Sequence, residues 1–296
     1  MKNTIFTGAG VAIVTPMNED SSINFDRLGE NIDYQIENGT DAIIICGTTG
    51  ESSTMTDEEH TECIRYAIER TNKRIPVIAG TGSNDTKYAI ELSQEAQKLG
   101  ADGLLLVTPY YNKTSQRGLV AHYNAIANNV DIPIILYNIP SRTGVNIAID
   151  TYIQLADNKN IVAVKEASGN IGYVAKVMNA IGDKIDVYSG NDDQIVPLMS
   201  LGAKGVISVL SNVMPKETHQ MAQYCLDNDF HSASKMQLEL LDLINHLFID
   251  VNPIPVKQAM NLMGLNVGEC RMPLYKMSDN DIQTLKNSLV AHGLIK

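Results

Sequence analysis

Residues 103–138 read GLLLVTPYYNKTSQRGLVAHYNAIANNVDIPIILYN and contain the repeating unit from which we predict the fold. Two apolar runs, 104–107 and 134–137, enclose a stretch after Ser115 whose pattern predicts a helix with a serine N-cap. Two strands separated by a helix form a parallel βαβ unit, because parallel strands need a long crossover. Strands that are apolar throughout indicate a sheet covered on both faces.

Comparable apolar runs recur along the chain with helical stretches between them. The predicted strands are residues 11–15, 42–45, 76–79, 104–107, 134–137, 162–165, 186–189 and 206–209. Eight successive βα units favour a closed (β/α)8 TIM barrel of the α/β class. The alternative is a doubly wound open sheet, which usually carries a GxGxxG turn after its first strand. The segment GAGVAIVTP (8–16) does not provide that turn.

The strand pattern ends near residue 228, and the rest of the chain predicts helices. We expect residues 1–228 to form the barrel and 229–296 a C-terminal helical domain that packs on the barrel or on another subunit. Helical patterns cover residues 231–250, 255–265 and 279–294, with the stiff segment NPIP (252–255) as a connection. Within the barrel, Asp57 and Asn84 are predicted helix N-caps and Gly100 a helix end.

The charge balance argues against a polyanionic partner. The chain has 296 residues, with 23 Lys and Arg against 34 Asp and Glu, which gives a net charge of −11. Nucleic-acid binding needs a basic face, so we expect a small-molecule partner and no nucleic acid. Apolar runs are too short for a membrane span, and the N-terminal residues lack the pattern of a signal peptide, so a cytoplasmic location is expected. Neither the four cysteines nor the six histidines have metal-ligand spacing, so we expect no metal and free, mostly buried thiols.

Polar residues follow four of the predicted strands, at the ends where barrel enzymes carry their active sites. They occupy the segments GTTGES (47–52), TPYYN (108–112), PSRTG (140–144) and KE (165–166). Together these segments are expected to place an amine, phenols, hydroxyls and a guanidinium around one mouth of the barrel.

Lys165 carries the most specific chemical signal, because it ends the apolar run IVAVKEAS (161–168). Desolvation disfavours an ammonium in such a place. At an ordinary pKa near 10.4, only about one lysine in a thousand is neutral, and lowering the pKa by about three units requires about 4 kcal/mol. A neutral lysine attacks carbonyls and forms a Schiff base. The alternative is a lysine that reaches solvent or pairs with Glu166.

Three other features each allow a functional and an ordinary interpretation. Tyr137 can shuttle a proton at the mouth, or simply pack in its strand. The GTTGES turn (47–52) can bind a carboxylate or phosphate, or be an ordinary capped turn. Arg142 can hold a carboxylate with both nitrogens, or lie in solvent.

Segments throughout the chain resemble the pyruvate-dependent class I aldolase family of dihydrodipicolinate synthase and N-acetylneuraminate lyase. The matching segments are GTTGES (47–52), VTPYYNKTSQRG (107–118), YNIPSRTG (137–144), VKEASGN (164–170), SGND (189–192), GVISV (205–209) and NPIPVK (252–257). Arg142 and the Tyr110–Tyr111 pair are similar to the synthase branch rather than to the lyases.

This resemblance implies a reaction without a cofactor. Lys165 would form an imine with pyruvate, and the derived enamine would add to L-aspartate-4-semialdehyde. The product would be 4-hydroxy-tetrahydrodipicolinate, in the diaminopimelate branch of lysine biosynthesis. An N-acetylneuraminate lyase or 2-keto-3-deoxy acid aldolase is the alternative enzyme. A binding barrel without turnover is an alternative of another class.

The resemblance also implies roles for individual residues. A proton relay would consist of Tyr137, Thr48 and Tyr111, with Tyr111 supplied by a neighbouring subunit. The implied substrate-binding positions are Thr49 for the pyruvate carboxylate, Arg142 for the semialdehyde carboxylate, and carbonyls near Gly190 and Ile207. A shared site would require a homo-oligomer, for which we expect a tetramer built as a dimer of dimers.

One departure from the family bears on regulation. In lysine-inhibited members a glutamate receives the ammonium of the effector in a cleft between subunits, and here Tyr88 occupies that position. Asp57 stands where such members often carry histidine, whereas Asn84, His60 and Tyr110 match. Weak or absent inhibition by lysine is therefore predicted.

Overall fold

The computed structural model describes residues 2–296 and contains a closed barrel of eight parallel strands. Each strand pairs with the next along the chain, and the first pairs with the eighth. The strands are β1 (Gly8–Ala12), β2 (Ala42–Ile45), β3 (Val77–Gly80), β4 (Gly103–Val107), β5 (Ile134–Asn138), β6 (Ile161–Glu166), β7 (Asp186–Ser189) and β8 (Gly205–Ser208). The prediction of a (β/α)8 barrel is confirmed.

Helices surround the barrel and continue beyond it. The helices are α1 (Phe25–Glu37), α2 (Asp57–Thr71), α3 (Thr86–Leu99), α4 (Gln116–Ala127), α5 (Pro140–Thr143), α6 (Ile149–Leu155), α7 (Ile171–Ile181), α8 (Ile195–Ser200), α9 (Pro215–Leu226), α10 (Phe230–Glu239), α11 (Leu241–His246), α12 (Ile254–Leu262) and α13 (Asp279–Ala291). Within residues 2–296 no helix is long and apolar enough to cross a membrane.

The pleat of each strand divides the core into two layers. Inward residues such as Ile44, Leu105 and Ala163 fill the barrel, and outward residues such as Val164 pack beneath the helices. Side chains of neighbouring residues in a strand point to opposite faces. Lys165 therefore faces the barrel interior, and the residue after it faces the helical layer.

Two predicted helix starts are wrong by one residue. α2 is capped by Thr56, whose side chain accepts from the Glu59 backbone while the Glu59 side chain accepts from the Thr56 backbone. Asp57 is the first residue inside the helix, where its charge complements the helix dipole. α3 is capped by Asp85 rather than Asn84. The predicted start of α4 at Ser115 is confirmed, as is the predicted end of α3 at Gly100, whose φ is +96°.

The first strand and the C-terminal helices also differ from prediction. β1 begins three residues earlier than expected, because Gly8 pairs with Gly205 of β8, where a Cβ atom would lie only 1.9 Å from the Gly8 carbonyl oxygen. The predicted helix at 231–250 is two helices that meet at Leu240, since α10 packs on α8 and α9 whereas α11 packs on α13. These helices pack on the barrel, and a domain boundary at residue 228 stays a prediction.

Candidate active site

The strand register brings the predicted mouth residues together. Tyr137 on β5 is the Cα partner of Lys165 on β6, which in turn pairs with Tyr188 on β7. The Nζ of Lys165 lies over the Tyr137 ring, 4.4 Å from its centroid. Because all carboxyl ends of a parallel barrel point the same way, the following loops converge on this pair.

Lys165 is buried, with 6% of its surface exposed. Burial lowers its pKa to about 8; the Asp192 carboxylate opposes that change and the Arg142 guanidinium adds to it. At pH 7 a pKa of about 8 leaves about one amine in ten neutral, a few hundredfold more than in an exposed lysine. The local environment therefore prepares this amine for attack on a carbonyl.

The alternative of an ion pair between Lys165 and Glu166 is wrong. Glu166 faces the helical layer, where its carboxylate accepts from Asn138 Nδ2 at 3.0 Å, the Ser168 backbone at 2.7 Å and the Tyr152 hydroxyl at 3.2 Å. Within residues 2–296 the Lys165 Nζ forms neither a hydrogen bond nor an ion pair with a side chain. The ammonium therefore has no bonded partner to offset its desolvation, and its pKa is lowered.

Tyr137 combines a buried ring with a protonated hydroxyl. Burial raises the pKa of its phenol to about 12, while the Arg142 guanidinium and the Thr48 hydroxyl act in the opposite direction. The phenol is therefore neutral at pH 7 and able to donate a proton beside the Lys165 amine.

A small enclosed cavity of about 50 Å³ surrounds the lysine. Six of the eight predicted site residues line it: Thr48, Thr49, Tyr137, Arg142, Lys165 and Gly190. A wider cavity of about 400 Å³ shares Thr48, Ile139 and Arg142 with the small one. The arrangement offers a confined place at the amine and a larger, open space beside it.

Gly190 is required by its closeness to the lysine. A Cβ atom there would lie 2.7 Å from the Ala167 Cβ and 3.2 Å from the Lys165 Cε. The Gly190 backbone also donates to the Glu166 carbonyl at 2.8 Å. Glycine thus lets the loop after β7 approach the amine without displacing it.

Ile207 and Tyr111 do not line this cavity. Ile207 belongs to the inner core of the barrel, and Val209, two residues later, contributes to the wall. Tyr111 is 91% exposed and has a φ of +65°, which is strained for a bulky residue. Such strain is concentrated at functional positions. In a single chain, the Tyr111 side chain is exposed to solvent and takes no part in the cavity around Lys165.

Sequence reasoning missed Asn252 as a site residue, although its segment NPIPVK was noted. Its Nδ2 donates to the Thr49 Oγ1 at 3.0 Å, and its backbone carbonyl accepts from Arg142 at 2.9 Å. Phe248 from the same part of the chain also lines the small cavity. The one signal in the sequence was the resemblance of NPIPVK to the family, because no local sequence pattern indicates that this segment contacts the barrel mouth.

The thiols and potential metal ligands are arranged as follows. All four cysteines are free; Cys46, Cys63 and Cys225 are buried, and Cys270 is partly so. In the described part of the chain, no group of three or more His, Cys, Asp or Glu side chains lies close enough together to hold a metal ion.

Comparison with known proteins identifies close relatives over the whole length. The profile of the Dihydrodipicolinate synthetase family matches residues 5–292. A 4-hydroxy-tetrahydrodipicolinate synthase from Lachnoclostridium phytofermentans is 58% identical over 292 residues, which cover 98% of this chain and 99% of the relative. One from Acetivibrio thermocellus is 55% identical over 295 residues and 100% of both chains. The crystal structure of a chloride-inhibited dihydrodipicolinate synthase from Acinetobacter baumannii, complexed with pyruvate, has a TM-score of 0.97 at 45% identity, covering 99% and 100% of the two chains.

We expect the reactivity of Lys165 to rise with pH through a midpoint near its pKa of about 8, since only the neutral amine attacks a carbonyl. The measurement is the rate of imine formation with a small 2-keto acid, followed by borohydride reduction and mass spectrometry. Arg142→Gln should move the midpoint to higher pH, because it removes a cation that disfavours the ammonium.

The matched control is Arg117→Gln, which removes an exposed arginine of α4 and should leave the midpoint unchanged. A midpoint above pH 10 in the unmodified chain would contradict the proposed effect of burial on Lys165.

Proposed function

This chain belongs to the dihydrodipicolinate synthetase family, and we propose how its barrel mouth carries out the reaction of that family. The enzyme is a lyase of the aldolase type that condenses pyruvate with L-aspartate-4-semialdehyde to 4-hydroxy-tetrahydrodipicolinate, in lysine and diaminopimelate biosynthesis. The single observation that carries the mechanism is the buried Lys165 amine, whose Nζ lies 4.4 Å from the ring centroid of the buried Tyr137.

The reaction begins at Lys165 and needs no cofactor. The neutral amine adds to the ketone of pyruvate, and loss of water gives a protonated imine. The imine withdraws electrons, so the methyl group loses a proton and an enamine forms. The enamine carbon bonds to the aldehyde carbon of the semialdehyde, whose oxygen takes up a proton. The amino group of the second substrate then displaces Lys165, which closes the ring and frees the amine.

Tyr137 is the proposed acid and base for these proton transfers. Its ring lies next to the Lys165 Nζ, and its protonated phenol can give a proton to the departing hydroxyl of the addition product. Thr48 lines the same cavity and would connect Tyr137 to a second phenol, that of Tyr111. Since Tyr111 is exposed in its own chain, we propose that it enters the site of a neighbouring subunit.

Two groups are proposed to hold the carboxylates of the substrates. Thr49, together with the backbone at Thr48, would bind pyruvate in the small cavity that also contains Lys165. Pyruvate is the ligand named for the Acinetobacter baumannii relative. Arg142 lines both cavities and would bind the semialdehyde carboxylate beside the small one. The carbonyl near Gly190 would complete the pocket, with Val209 in the wall in place of Ile207, which lies in the inner core.

A shared site makes assembly part of catalysis. We propose a homo-oligomer, in the form of a tetramer built as a dimer of dimers, in which Tyr111 crosses one of the two interfaces. The bulky, exposed and backbone-strained Tyr111 supports this proposal, because an isolated chain offers it no partner within residues 2–296. A cytoplasmic location likewise stays a prediction.

We expect pyruvate and borohydride together to leave a reduced adduct on Lys165 and to inactivate the enzyme. Lys165→Gln should lose the adduct and the condensation of pyruvate with the semialdehyde, because no other residue supplies the imine nitrogen. Lys98→Gln, which removes an exposed lysine, should keep both. An adduct on another lysine, or cleavage of N-acetylneuraminate in place of condensation, would contradict the proposal.

Arg142→Gln should separate the two substrates kinetically. Losing a charge-assisted pair of hydrogen bonds should raise the KM of the semialdehyde by about tenfold or more, with a smaller change for pyruvate. Steady-state kinetics with each substrate varied in turn provide the measurement. Equal increases in the two KM values would reject the assignment of Arg142 to the second substrate.

Mixed oligomers test whether Tyr111 acts across an interface. Tyr111→Phe and Tyr137→Phe should each lower kcat by about a hundredfold, as expected for loss of a proton-transfer group. In a hybrid dimer of the two variants, one site would contain both intact phenols. Random co-assembly should therefore restore about a quarter of the unmodified activity.

Separately purified and unmixed variants serve as the baseline for that experiment. If mixing restores nothing while differently tagged subunits are shown to co-assemble, Tyr111 acts within its own chain or not at all.

Inhibition by lysine should be weak or absent. The Tyr88 hydroxyl donates to Asp57 in the cleft that also contains His60 and Tyr110, and burial raises the Tyr88 pKa to about 12, so this side chain is neutral. A lysine ammonium would lack a charge-assisted bond worth about 1.5 to 3 kcal/mol. Tyr88→Glu should increase inhibition, and inhibition of the unmodified enzyme by submillimolar lysine would show that another acid, such as Asp57, replaces the glutamate.

A further inference from the structure

A buried ion pair connects the barrel mouth to the C-terminal helices. Glu51, the fifth residue of the GTTGES turn, and Lys257 on α12 are 2% and 1% exposed. The Lys257 Nζ donates to the Glu51 Oε1 at 2.8 Å. The other carboxylate oxygen of Glu51 accepts from the Arg271 backbone at 2.8 Å. Two separate parts of the C-terminal tail, residues 229–296, therefore bind the Glu51 carboxylate.

The remaining donors of Lys257 extend this connection. They go to the backbone carbonyls of Thr15, after β1, at 3.1 Å and of Glu269 at 2.7 Å. Thr15 in turn donates its hydroxyl to the Gly50 carbonyl at 2.8 Å, which fixes the same turn from the barrel side. All three ammonium donors are thus used, and the turn that carries Thr49 is held from both directions.

The segment that leads into α12 contacts both proposed carboxylate sites. Asn252 lies five residues before Lys257, and its side chain donates to the Thr49 hydroxyl while its carbonyl accepts from Arg142. Asn252 itself is 6% exposed. One residue of the tail therefore touches the group proposed for pyruvate and the group proposed for the semialdehyde.

A buried ion pair is a poor way to increase stability. The desolvation of two charges offsets most of their attraction, and apolar residues of similar volume are often as stable or more so. What such a pair supplies is a fixed geometry, because only one relative position satisfies both partners. C-terminal helices that only covered the barrel would not need a fixed position relative to the GTTGES turn. Two carboxylate-binding sites that must stay at a set distance from each other do need one.

We propose that Glu51, Lys257 and Asn252 are positioning residues that set the distance between the two substrate carboxylate sites. The pair holds the GTTGES turn and α12 in one register, and Asn252 transmits this register to Thr49 and Arg142. The inference rests on the proposed function, since it takes the substrate roles of Thr49 and Arg142 from it.

Two variants test different parts of this arrangement. Asn252→Ala removes the donor to Thr49 but keeps the backbone carbonyl that Arg142 uses. The KM of pyruvate should rise about tenfold, as for the loss of one hydrogen bond to an oriented group, and the KM of the semialdehyde should stay within about twofold. Glu51→Gln/Lys257→Met removes both charges without leaving one unpaired, and both KM values should rise together.

Lys235→Met is the matched control, because it removes a tail lysine whose ion pair with Glu239 is exposed. Melting temperature and borohydride trapping at saturating pyruvate are measured for each variant. Full trapping on Lys165 is expected in all of them, since none alters the amine. Absence of trapping in the unmodified enzyme would refute the proposed function instead.

The two roles of the pair predict different results. If Glu51 and Lys257 only stabilise the fold, the double variant will melt at a lower temperature and keep both KM values when assayed below it. That result, or an unchanged pyruvate KM in Asn252→Ala, would overturn the positioning proposal. If the double variant does not fold, the Asn252→Ala result alone decides.

Discussion

Desolvation of one amine is the constraint on which the chemistry of this barrel depends. Lys165 follows four apolar residues of β6, and the Tyr137 ring presents its face to the Nζ. The pleat directs Glu166 away to the helical layer, so the adjacent carboxylate cannot neutralise the ammonium. The geometry of the strand therefore keeps the Lys165 amine in apolar surroundings, which lowers its pKa. The same geometry places Tyr137 beside Lys165.

The sequence predicted those parts of the site that depend on strand order. Lys165 and Tyr137 were identifiable because charged or phenolic residues ended apolar runs, and a closed barrel then required them to meet. Loop positions were less predictable. The N-caps of α2 and α3 moved by one residue because several capping side chains stand in a row there, and only the backbone conformation selects Thr56 and Asp85.

Other residues of the site depend on contacts between distant parts of the chain, and no local sequence pattern predicts those contacts. Asn252 reaches the mouth from 203 positions beyond Thr49, and its segment read as a connection because of its prolines. Glu51 looked like an ordinary turn residue until its buried partner on α12 was known. For Tyr111 the reverse is true. The resemblance assigned it a role in the site, but in a single chain its side chain is exposed to solvent.

Two buried lysines in this chain show how partners decide the use of a charge. Lys257 has a carboxylate and two carbonyls around its ammonium, so its charge is satisfied and its position is fixed. Lys165 is buried to a similar degree, but its ammonium has an aromatic ring beside it and no bonded acceptor, and the Asp192 carboxylate only partly opposes the effect of burial on its pKa. Burial alone does not make an amine reactive; burial without acceptors does. Lys257, whose ammonium is paired, therefore positions the residues of the barrel mouth in which the unpaired Lys165 reacts. The surroundings of each lysine, and not its burial, determine which of the two roles it has.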